Sequence, residues 1–287
     1  SLKIMPRDFE VTYKAENIYD DWVHDAHWQF LIIPFENESQ HEVQIEFSNS
    51  LYANTEFSIN GFGFKTLRVH PKKKFKQISF EAKFKFKKEE IDPYDFNINS
   101  DLSVEYNELE HFDFKITHER FLKQTIYTKL NSTQDLLYKF DTTVSIFQNL
   151  ENLNHWIYKF IQFKTGVTKV GTLLKDLLLN KQGVCQDFAH LFCALARTNG
   201  IPTRYVSGYL DQNSGYMGDS QMHAWVECYI SGIGWKGFDP TNNILANTNH
   251  IKVCHGKDYN DCSPLKGIIH TGGQNKTTHT VMVQSQQ

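Results

Sequence analysis

The 287-residue sequence predicts an α+β protein, with an antiparallel, sandwich-like β domain before a domain of helices packed on an antiparallel sheet. From about Val11 to Glu90, apolar and polar residues alternate, which is typical of strands with one buried face. Between about 130 and 200 the apolar residues recur at helical spacing instead. Short apolar strands with Gly- and Ser-rich turns follow. We therefore expect a β-rich N-terminal domain over residues 1–125 and a second domain over residues 126–287.

The alternation is clearest in two segments of the first domain. Val43, Ile45 and Phe47 alternate with polar neighbours, and the apolar residues of segment 80–86 alternate with a glutamate and lysines. A row of lysines on one side of a strand is more typical of a solvated face or a protected sheet edge than of a basic binding patch. We therefore assign these lysines no function.

Three helices are predicted in the second domain. The first carries Leu150 and Leu153 on one apolar stripe, and the second is a leucine-rich run after Thr172. The third follows a chain break at Gly183-Val184 and ends at the Asn-Gly-Ile-Pro stop signal of residues 199–202. Strands are expected next at 203–209, 223–230 and 235–239.

The charge and the cysteines limit the partners and the compartment. The formal net charge is -3, from 33 acidic and 30 basic residues, which provides no electrostatic footprint for nucleic acid or an anionic membrane. No run approaches the roughly 18 apolar residues of a spanning helix, and the first residues lack a signal-like apolar stretch. The 5 cysteines are an odd number in a chain too large to depend on disulfides. We therefore expect reduced thiols, a cytoplasmic location, and neither nucleic acid nor membrane as a partner.

Cys185 stands at the first turn of the third predicted helix. Unpaired backbone N–H groups and the positive end of the helix dipole favour a thiolate there. The same N–H groups can hold the oxyanion of a tetrahedral intermediate. Cys193 and Cys228 instead follow the apolar pattern of a helix and a strand, so we interpret them as core residues. Asp187 would oppose a thiolate, so its side chain is expected to turn away or to be paired.

His223 and Asp239 complete a set of nucleophile, base and orienting carboxylate with Cys185. His223 opens one predicted strand and Asp239 ends the next, so an antiparallel hairpin would bring them together. Opposite residues of such a hairpin have numbers with a constant sum, and this pair shares a face only if that sum is even. The triad therefore requires a turn of odd length, such as residues 231–233 or 230–234.

Four blocks resemble, in the right order, the core of the transglutaminase-like superfamily: GVCQDFAH at 183–190, GIPTRYVSGY at 200–209, HAWVE at 223–227 and GFDPTN at 237–242. The β-rich first half resembles the region that often precedes this core in bacterial transglutaminase-like cysteine peptidases. The resemblance implies a papain-like fold in which Cys185 is the nucleophile, His223 the general base and acid, and Asp239 orients the imidazole. It also suggests an oxyanion contribution from an aromatic or amide side chain upstream of the cysteine, for which Trp156 and Gln182 are candidates.

Two branches of the superfamily fit less well. The sequence has neither the paired Cys-x-x-Cys motifs of the zinc-stabilised peptide glycanases nor an acidic run like the calcium loops of animal cross-linking enzymes. Cys254, His255, Cys262 and His270 invite a zinc interpretation, but their spacings fit no tight ligand pair. We therefore expect neither a cofactor nor a metal.

These residues favour a cysteine peptidase or amidase that cleaves an amide or isopeptide bond of a peptide or protein substrate. Two alternatives stay open. One is a protein-glutamine transglutaminase, in which an amine replaces water as the acyl acceptor. The other is a non-catalytic binding or scaffold module on the same fold. The stretch 211–220 is a lid over the site or a plain flexible loop, and neither the substrate nor the oligomeric state follows from the sequence.

Overall fold

The computed structural model describes residues 4–98, 101–211, 215–217 and 222–286, apart from the side chain of residue 135. The strands over these residues are β1 (Arg7–Phe30), β2 (Gln40–Asn49), β3 (Thr55–Ile59), β4 (Lys65–Val69), β5 (Phe75–Lys88), β6 (Gln162–Phe163), β7 (Gln182–Gly183), β8 (Thr203–Leu210), β9 (His223–Ile230), β10 (Gly234–Asp239), β11 (Ile244–Leu245), β12 (His250–Gly256), β13 (Leu265–Thr271) and β14 (Asn275–Gln286). The α-helices are α1 (Leu102–Glu110), α2 (Phe112–Thr117), α3 (Glu119–Leu122), α4 (Ile146–Phe160), α5 (Leu174–Asn180), α6 (Cys185–Thr198) and α7 (Tyr259–Cys262), with a 3-10 turn at Gln134–Leu136.

Seven strands form the first sheet, in the order β2-β5-β1-β4-β3, with β13 and β14 also paired to β1. The 24-residue β1 organises it, because its first half lies between β5 and β14 and its second half between β4 and β13. Along the first half, Val11, Tyr13 and Ala15 are buried while Thr12 and Lys14 between them are more exposed. This alternation confirms the predicted antiparallel β region.

The last two strands belong to this first sheet, although the chain reaches them last. β14 pairs with β1 from Asp8 opposite Gln286 to Tyr19 opposite Asn275. Residues 265–286 therefore complete the sheet of the first predicted domain rather than that of the second, and the division at 125/126 otherwise stays a prediction. A local pattern holds no signal for such pairing, because the partners are as far apart as Asn17 and Thr277, 260 positions along the chain.

The second sheet has five antiparallel strands in the order β11-β10-β9-β8-β12. α6 packs on β8 and β9, and α4 packs on α6. α6 is buried along almost its whole length, from Cys185 to Arg197. The predicted α+β class is confirmed, with the helix that begins at Cys185 packed on an antiparallel sheet.

The helices are short. α4 has 15 residues and α6 has 14. In the part of the chain that the structure describes, no helix combines the length and the apolar character needed to cross a membrane.

The stretch 211–220, for which a lid and a plain loop were both left open, lies largely outside the described residues. The structure describes only Asp211 and residues 215–217 of this stretch. The choice between a lid and a plain loop therefore stays a prediction.

Candidate active site

Cys185 is delivered to the start of α6 by a strand that turns directly into the helix. The strand, β7, pairs in parallel with β6, and Val184 follows it in an extended conformation as the N-cap of α6. Residue 183 must be small, since a Cβ built there would lie 2.6 Å from the Oδ2 of Asp187. Cys185 retains 6% of its surface exposed and sits among the first N–H groups of the helix, which have no acceptor within the helix.

Asp187 is paired, as predicted. Its Oδ2 accepts hydrogen bonds from Thr168 Oγ1 at 2.6 Å and from the Val184 N–H at 2.9 Å. Burial raises the pKa of Asp187, although both hydrogen bonds lower it. The carboxyl group therefore caps the helix that carries Cys185 and is occupied by two donors.

The β9–β10 hairpin has the odd-length turn that the triad requires. Ile230 faces Gly234, so the turn comprises residues 231–233, and the paired numbers have an even sum. His223 and Asp239 consequently lie on the same face of the sheet. The register prediction is confirmed, and it places the carboxylate beside the imidazole.

His223 joins the cysteine to the carboxylate. Its Nε2 lies 2.8 Å from Asp239 Oδ2, and the side chain is almost fully buried. Burial alone would lower the pKa of His223, but the charge and hydrogen bond of Asp239, together with an interaction with Cys185, raise it well above its ordinary value. Because Nε2 is committed to Asp239, Nδ1 is the ring nitrogen available to the thiol. Nδ1 has no other partner among the described residues.

Asp239 is fully buried and surrounded by donors. Its Oδ2 accepts from His223, from His250 Nε2 at 2.9 Å and from Asn242 Nδ2 at 3.0 Å. Its Oδ1 accepts from the backbone N–H groups of Thr241 at 3.1 Å and Asn242 at 3.3 Å. Burial would raise the pKa of Asp239, but the charge and hydrogen bond of His223, followed by those of His250, hold it well below its usual range. Asp239 is therefore an anion that holds the imidazole in place.

His250, at the start of β12, is a neighbour of Asp239 that sequence reasoning missed. The Asn247 backbone N–H donates to its Nδ1 at 3.1 Å. A backbone N–H can only donate, so Nδ1 carries a lone pair and Nε2 carries the proton that points to Asp239. Burial lowers the pKa of His250, despite the opposing effect of Asp239, which agrees with a neutral ring.

The sequence offered one weak signal for His250. It lies 11 positions after Asp239, in no recognisable motif. The hydrogen bond from His250 to Asp239 depends on the pairing of β12 with β8, in which His250 lies opposite Leu210. In the strand order, β9 and β8 separate β12 from β10. A strand pattern at 250–256 would have been the only local clue, and it does not reveal the partner strand.

A metal does not fit the His223, Asp239 and His250 group well, although one ligand atom from each lies within 4.8 Å of the others. Both Nε2 atoms approach the same carboxylate oxygen at 2.8 and 2.9 Å, which are hydrogen-bond distances. Further N–H donors from Thr241 and Asn242 point at the same carboxylate and would repel a cation. The arrangement is that of a carboxylate that accepts hydrogen bonds from two imidazoles.

Cys185 and His223 open onto a cleft of about 320 Å³ whose walls come from both sheets. Tyr13 and His279 of the first sheet line it and are hydrogen bonded to each other at 3.0 Å. The other lining residues are Val170, Val184, Gln186, Tyr205, Ser207, Met222, Ala224, Tyr259, Pro264 and Leu265. Among the described residues, none of the side chains that line the cleft belongs to Asp, Glu, Lys or Arg.

The two upstream oxyanion candidates do not line this cleft. Trp156 lies on α4 and stacks on Phe160 with ring centroids 4.5 Å apart, beside Tyr138. The Gln182 side chain donates to Gln162 Oε1 at 3.2 Å. Trp156 thus packs against aromatic neighbours, and Gln182 is hydrogen bonded within the short β6–β7 pair. Neither side chain lines the cleft at Cys185.

The remaining cysteines are buried thiols in the structure. Burial raises the pKa of Cys193 to about 11 and also raises that of Cys228, as expected for core residues. Cys254 and Cys262 are buried as well. With His255 and His270 they form no metal-type group among the described residues, because His255 interacts with Lys252 and His270 lies on another strand.

Residues 136–240 match the family model of the transglutaminase-like superfamily. An uncharacterized protein of Mycobacterium tuberculosis is 39% identical over 135 residues, which is 44% of this chain and 43% of the relative. A protein-glutamine gamma-glutamyltransferase of Pseudomonas aeruginosa is 32% identical over 103 residues, which is 33% of this chain and 15% of the relative. The chain thus spans less than half the length of these curated relatives.

A solved structure of a candidate cysteine protease from Cytophaga hutchinsonii has a TM-score of 0.74 to this chain at 21% identity. The match covers 98% of this chain and 91% of the other. At this identity the likeness shows the fold, and it extends over the β-rich first half as well as the core. Residues 136–240 are the part of the chain that matches the core of the transglutaminase-like superfamily.

Proposed function

We propose that this protein is a cysteine-dependent acyl-transfer enzyme, and within that class a peptidase or amidase that cleaves an amide or isopeptide bond. The observation that carries the proposal is the meeting of Cys185 and His223 on one cleft, with Asp239 2.8 Å from the imidazole. Cys185 is the nucleophile, His223 the general base and acid, and Asp239 the group that orients and charges His223.

The first half of the reaction forms a thioester. The raised pKa of His223 favours transfer of the Cys185 proton to Nδ1, so the resting pair is a thiolate and an imidazolium. The thiolate attacks the carbonyl carbon of the substrate, and the carbonyl electrons move to its oxygen. As the intermediate collapses, the C–N bond breaks and the Nδ1 proton of His223 passes to the leaving amine or ammonia.

The second half restores the enzyme. Water attacks the thioester carbonyl while Nδ1 of His223 takes its proton, and collapse of this intermediate releases the acid and returns the Cys185 thiolate. Backbone N–H groups in the first turn of α6 are the proposed oxyanion donors, since neither Trp156 nor Gln182 lines the cleft. Asp239 keeps its proton-free form throughout and holds Nε2.

The substrate is a peptide or protein that presents an uncharged amide. The described residues of the cleft wall include tyrosines, a methionine and aliphatic side chains, and no Asp, Glu, Lys or Arg is among them. Apart from the Cys185–His223 pair itself, a charged substrate group would lose its water there without meeting a described lining residue of opposite charge. A glutamine side chain, or the amide of an apolar peptide segment, meets these requirements.

An amine acceptor is the second candidate for the same site. The similarity to a protein-glutamine gamma-glutamyltransferase favours it, and in that case a primary amine would replace water in the second half of the reaction. A non-catalytic module is the third, from a different class. The buried charge of Asp239 argues against it, because an anion with no exposed surface is costly to maintain for packing alone.

A peptide panel tests these three functions. Peptides with internal glutamines and peptides with an isopeptide bond are incubated with the protein, with and without a primary amine, and read by mass. Acid products in both conditions support the peptidase or amidase, and amine adducts would replace it with the transglutaminase. Cys185→Ala should give no product, whereas Cys193→Ala, a matched change within the same helix, should remain active. If neither turnover nor labelling of Cys185 were observed, the result would favour the non-catalytic binding module.

We also propose that the protein is located in the cytoplasm, and this proposal rests only on the state of its cysteines. All five are buried thiols, and none forms a disulfide. Reduced thiols of this kind are typical of a reducing compartment. Fractionation of the producing cell with an antibody to the protein tests this assignment, and recovery in an extracytoplasmic fraction would contradict it.

A further inference from the structure

A second group of histidines and an aspartate lies on the exposed face of the first sheet. Asp25 and His27 are two positions apart on β1 and so point to the same side. His70 follows β4, whose Val69 lies opposite Trp28, and this register places His70 beside His27. None of the three lines the Cys185 cleft.

The polar atoms of this group lie close enough together to bind one ion, although Asp25 and His70 are hydrogen bonded to each other. Asp25 Oδ1 lies 2.9 Å from His70 Nε2 and 3.8 Å from His27 Nε2. One ligand atom from each residue lies within 4.8 Å of the other two. In a tetrahedral zinc site with bonds of about 2.0–2.1 Å, ligand atoms stand roughly 3.3 Å apart. The two observed separations, 2.9 and 3.8 Å, lie on either side of that value.

We propose that Asp25, His27 and His70 form a binding site for a divalent transition ion, with zinc as the ion the donor set fits best. Two imidazoles and one carboxylate are a common zinc set, and imidazole is also suited to nickel, copper and cobalt. Calcium and magnesium fit this site less well, because both ions prefer oxygen ligands and two of the three proposed ligands are imidazole nitrogens.

The surroundings support an ion at this place. The rings of His27 and His70 are stacked, with centroids 3.8 Å apart, so the strand register already holds the two imidazoles side by side. The side chains of Asp25, His27 and His70 are 45%, 53% and 46% exposed, so an ion can enter without opening the fold. His270 lies opposite Asp25 on β13 and is a candidate for a fourth ligand, which water would otherwise supply.

An ion at this site would tie together strands that are far apart in sequence. Asp25 and His70 are separated by 45 positions, and His270 belongs to the C-terminal hairpin. β1 also carries Tyr13, which lines the active-site cleft. Binding should therefore stabilise the sheet that forms one wall of that cleft.

Zinc titration of the full chain tests the site. The titration is done by calorimetry in the Cys185→Ala background, because a thiolate would itself bind zinc, and is repeated with Co²⁺ read by visible absorption. We expect one saturable site, a rise in the thermal midpoint with zinc, and a loss of affinity on the order of tenfold or more in His27→Ala and in His70→Ala. His24→Ala, an exposed histidine outside the group, is the matched control and should bind as before.

Three results would overturn the proposal. They are the absence of saturable binding at one ion per chain, an unchanged affinity in both His27→Ala and His70→Ala, and an equal loss in His24→Ala, which would indicate adventitious binding by surface histidines. Circular dichroism checks that each variant is folded. If an alanine variant is not, His70→Gln and Asp25→Asn replace it with side chains of similar size.

Discussion

Two groups of two histidines and one aspartate differ in their surroundings more than in their chemistry. The group at Asp239 is buried, and five N–H donors converge on its carboxylate. The group at Asp25 is about half exposed, and His70 is its one hydrogen-bonded histidine among the described contacts. The buried group is thereby committed to holding a charge and a proton, whereas the exposed group keeps ligand atoms available. Burial and donor count, rather than residue type, distinguish the two.

Replacing the buried carboxylate should have the largest effect. In Asp239→Asn the shape is kept, but the charge that raises the pKa of His223 is lost. We expect kcat/KM to fall by about 10²- to 10⁴-fold, by analogy with the loss of an orienting aspartate in other triads. The measurement is steady-state kinetics on a substrate from the peptide panel. A fall of less than about threefold, in a variant with an unchanged circular dichroism spectrum, would show that the buried group does not serve catalysis.

His250 should have an intermediate effect, as a positioning residue. Its Nε2–H donates to Asp239, and a hydrogen bond to a charged group contributes about 1.5–3 kcal/mol to stability. Only part of this free energy is expected to affect the activation barrier. We expect His250→Phe to lower kcat by about tenfold with little change in KM. His250→Gln, whose amide can still donate, should recover much of the loss. Equal losses in both variants would indicate that His250 acts only through packing.

The two buried histidines should give opposite slopes of stability against pH. The folded-state pKa of His223 is raised, so its contribution is complete below its unfolded value near 6.5 and is lost as the pH rises through the folded pKa. The pKa of His250 is lowered by burial, so its contribution is lost as the pH falls below about 6.5 toward the folded pKa.

Urea unfolding midpoints from pH 5 to 9 check these slopes against each other. Relative to wild type, His223→Ala should lose most stability at the acid end of this window and least at the alkaline end. His250→Gln should lose least stability at the acid end, because it removes a ring that resists protonation. The same slope in both variants would contradict the assignment of charge to His223.

The exposed group should show the smallest effect in the absence of metal. Exposed ion pairs contribute little to stability, and the side chains of His70 and Asp25 are 46% and 45% exposed. His70→Ala, measured after chelation and dialysis, should leave the unfolding midpoint unchanged within error. A clear loss of stability would show that the group is a structural contact of the sheet rather than a set of available ligands.

The sequence predicted those parts of the fold and site that depend on local patterns. The third helix, the position of Cys185 at its start and the strands with His223 and Asp239 followed from periodicity and from turn residues. The three-residue turn of the β9–β10 hairpin by itself places Asp239 on the same face as His223, so this pairing could be predicted from the sequence. Asp187 could likewise be expected to be paired, since its charge would otherwise oppose the nearby thiolate.

Contacts between distant strands could not be predicted in this way. His250 reaches Asp239 only because β12 adds to β8, and the C-terminal strands reach the first sheet only by pairing with β1. The exposed group shows the same limit. The spacing of Asp25 and His27 on one strand was visible, but the third residue lies 45 positions from Asp25. Pairing of this kind is decided by the packing of the whole chain rather than by neighbouring residues.

The central claim is that Cys185 and His223 form a thiolate and imidazolium pair. Its most direct test is the rate of Cys185 alkylation as a function of pH, measured by intact mass and peptide mapping in the wild type and in His223→Ala. A thiolate and imidazolium pair predicts a reactive plateau that extends well below pH 8.5, the region where a free thiol ionises, and that collapses in the variant. An ordinary thiol profile in both proteins would contradict the poised pair and favour a non-catalytic role for the fold.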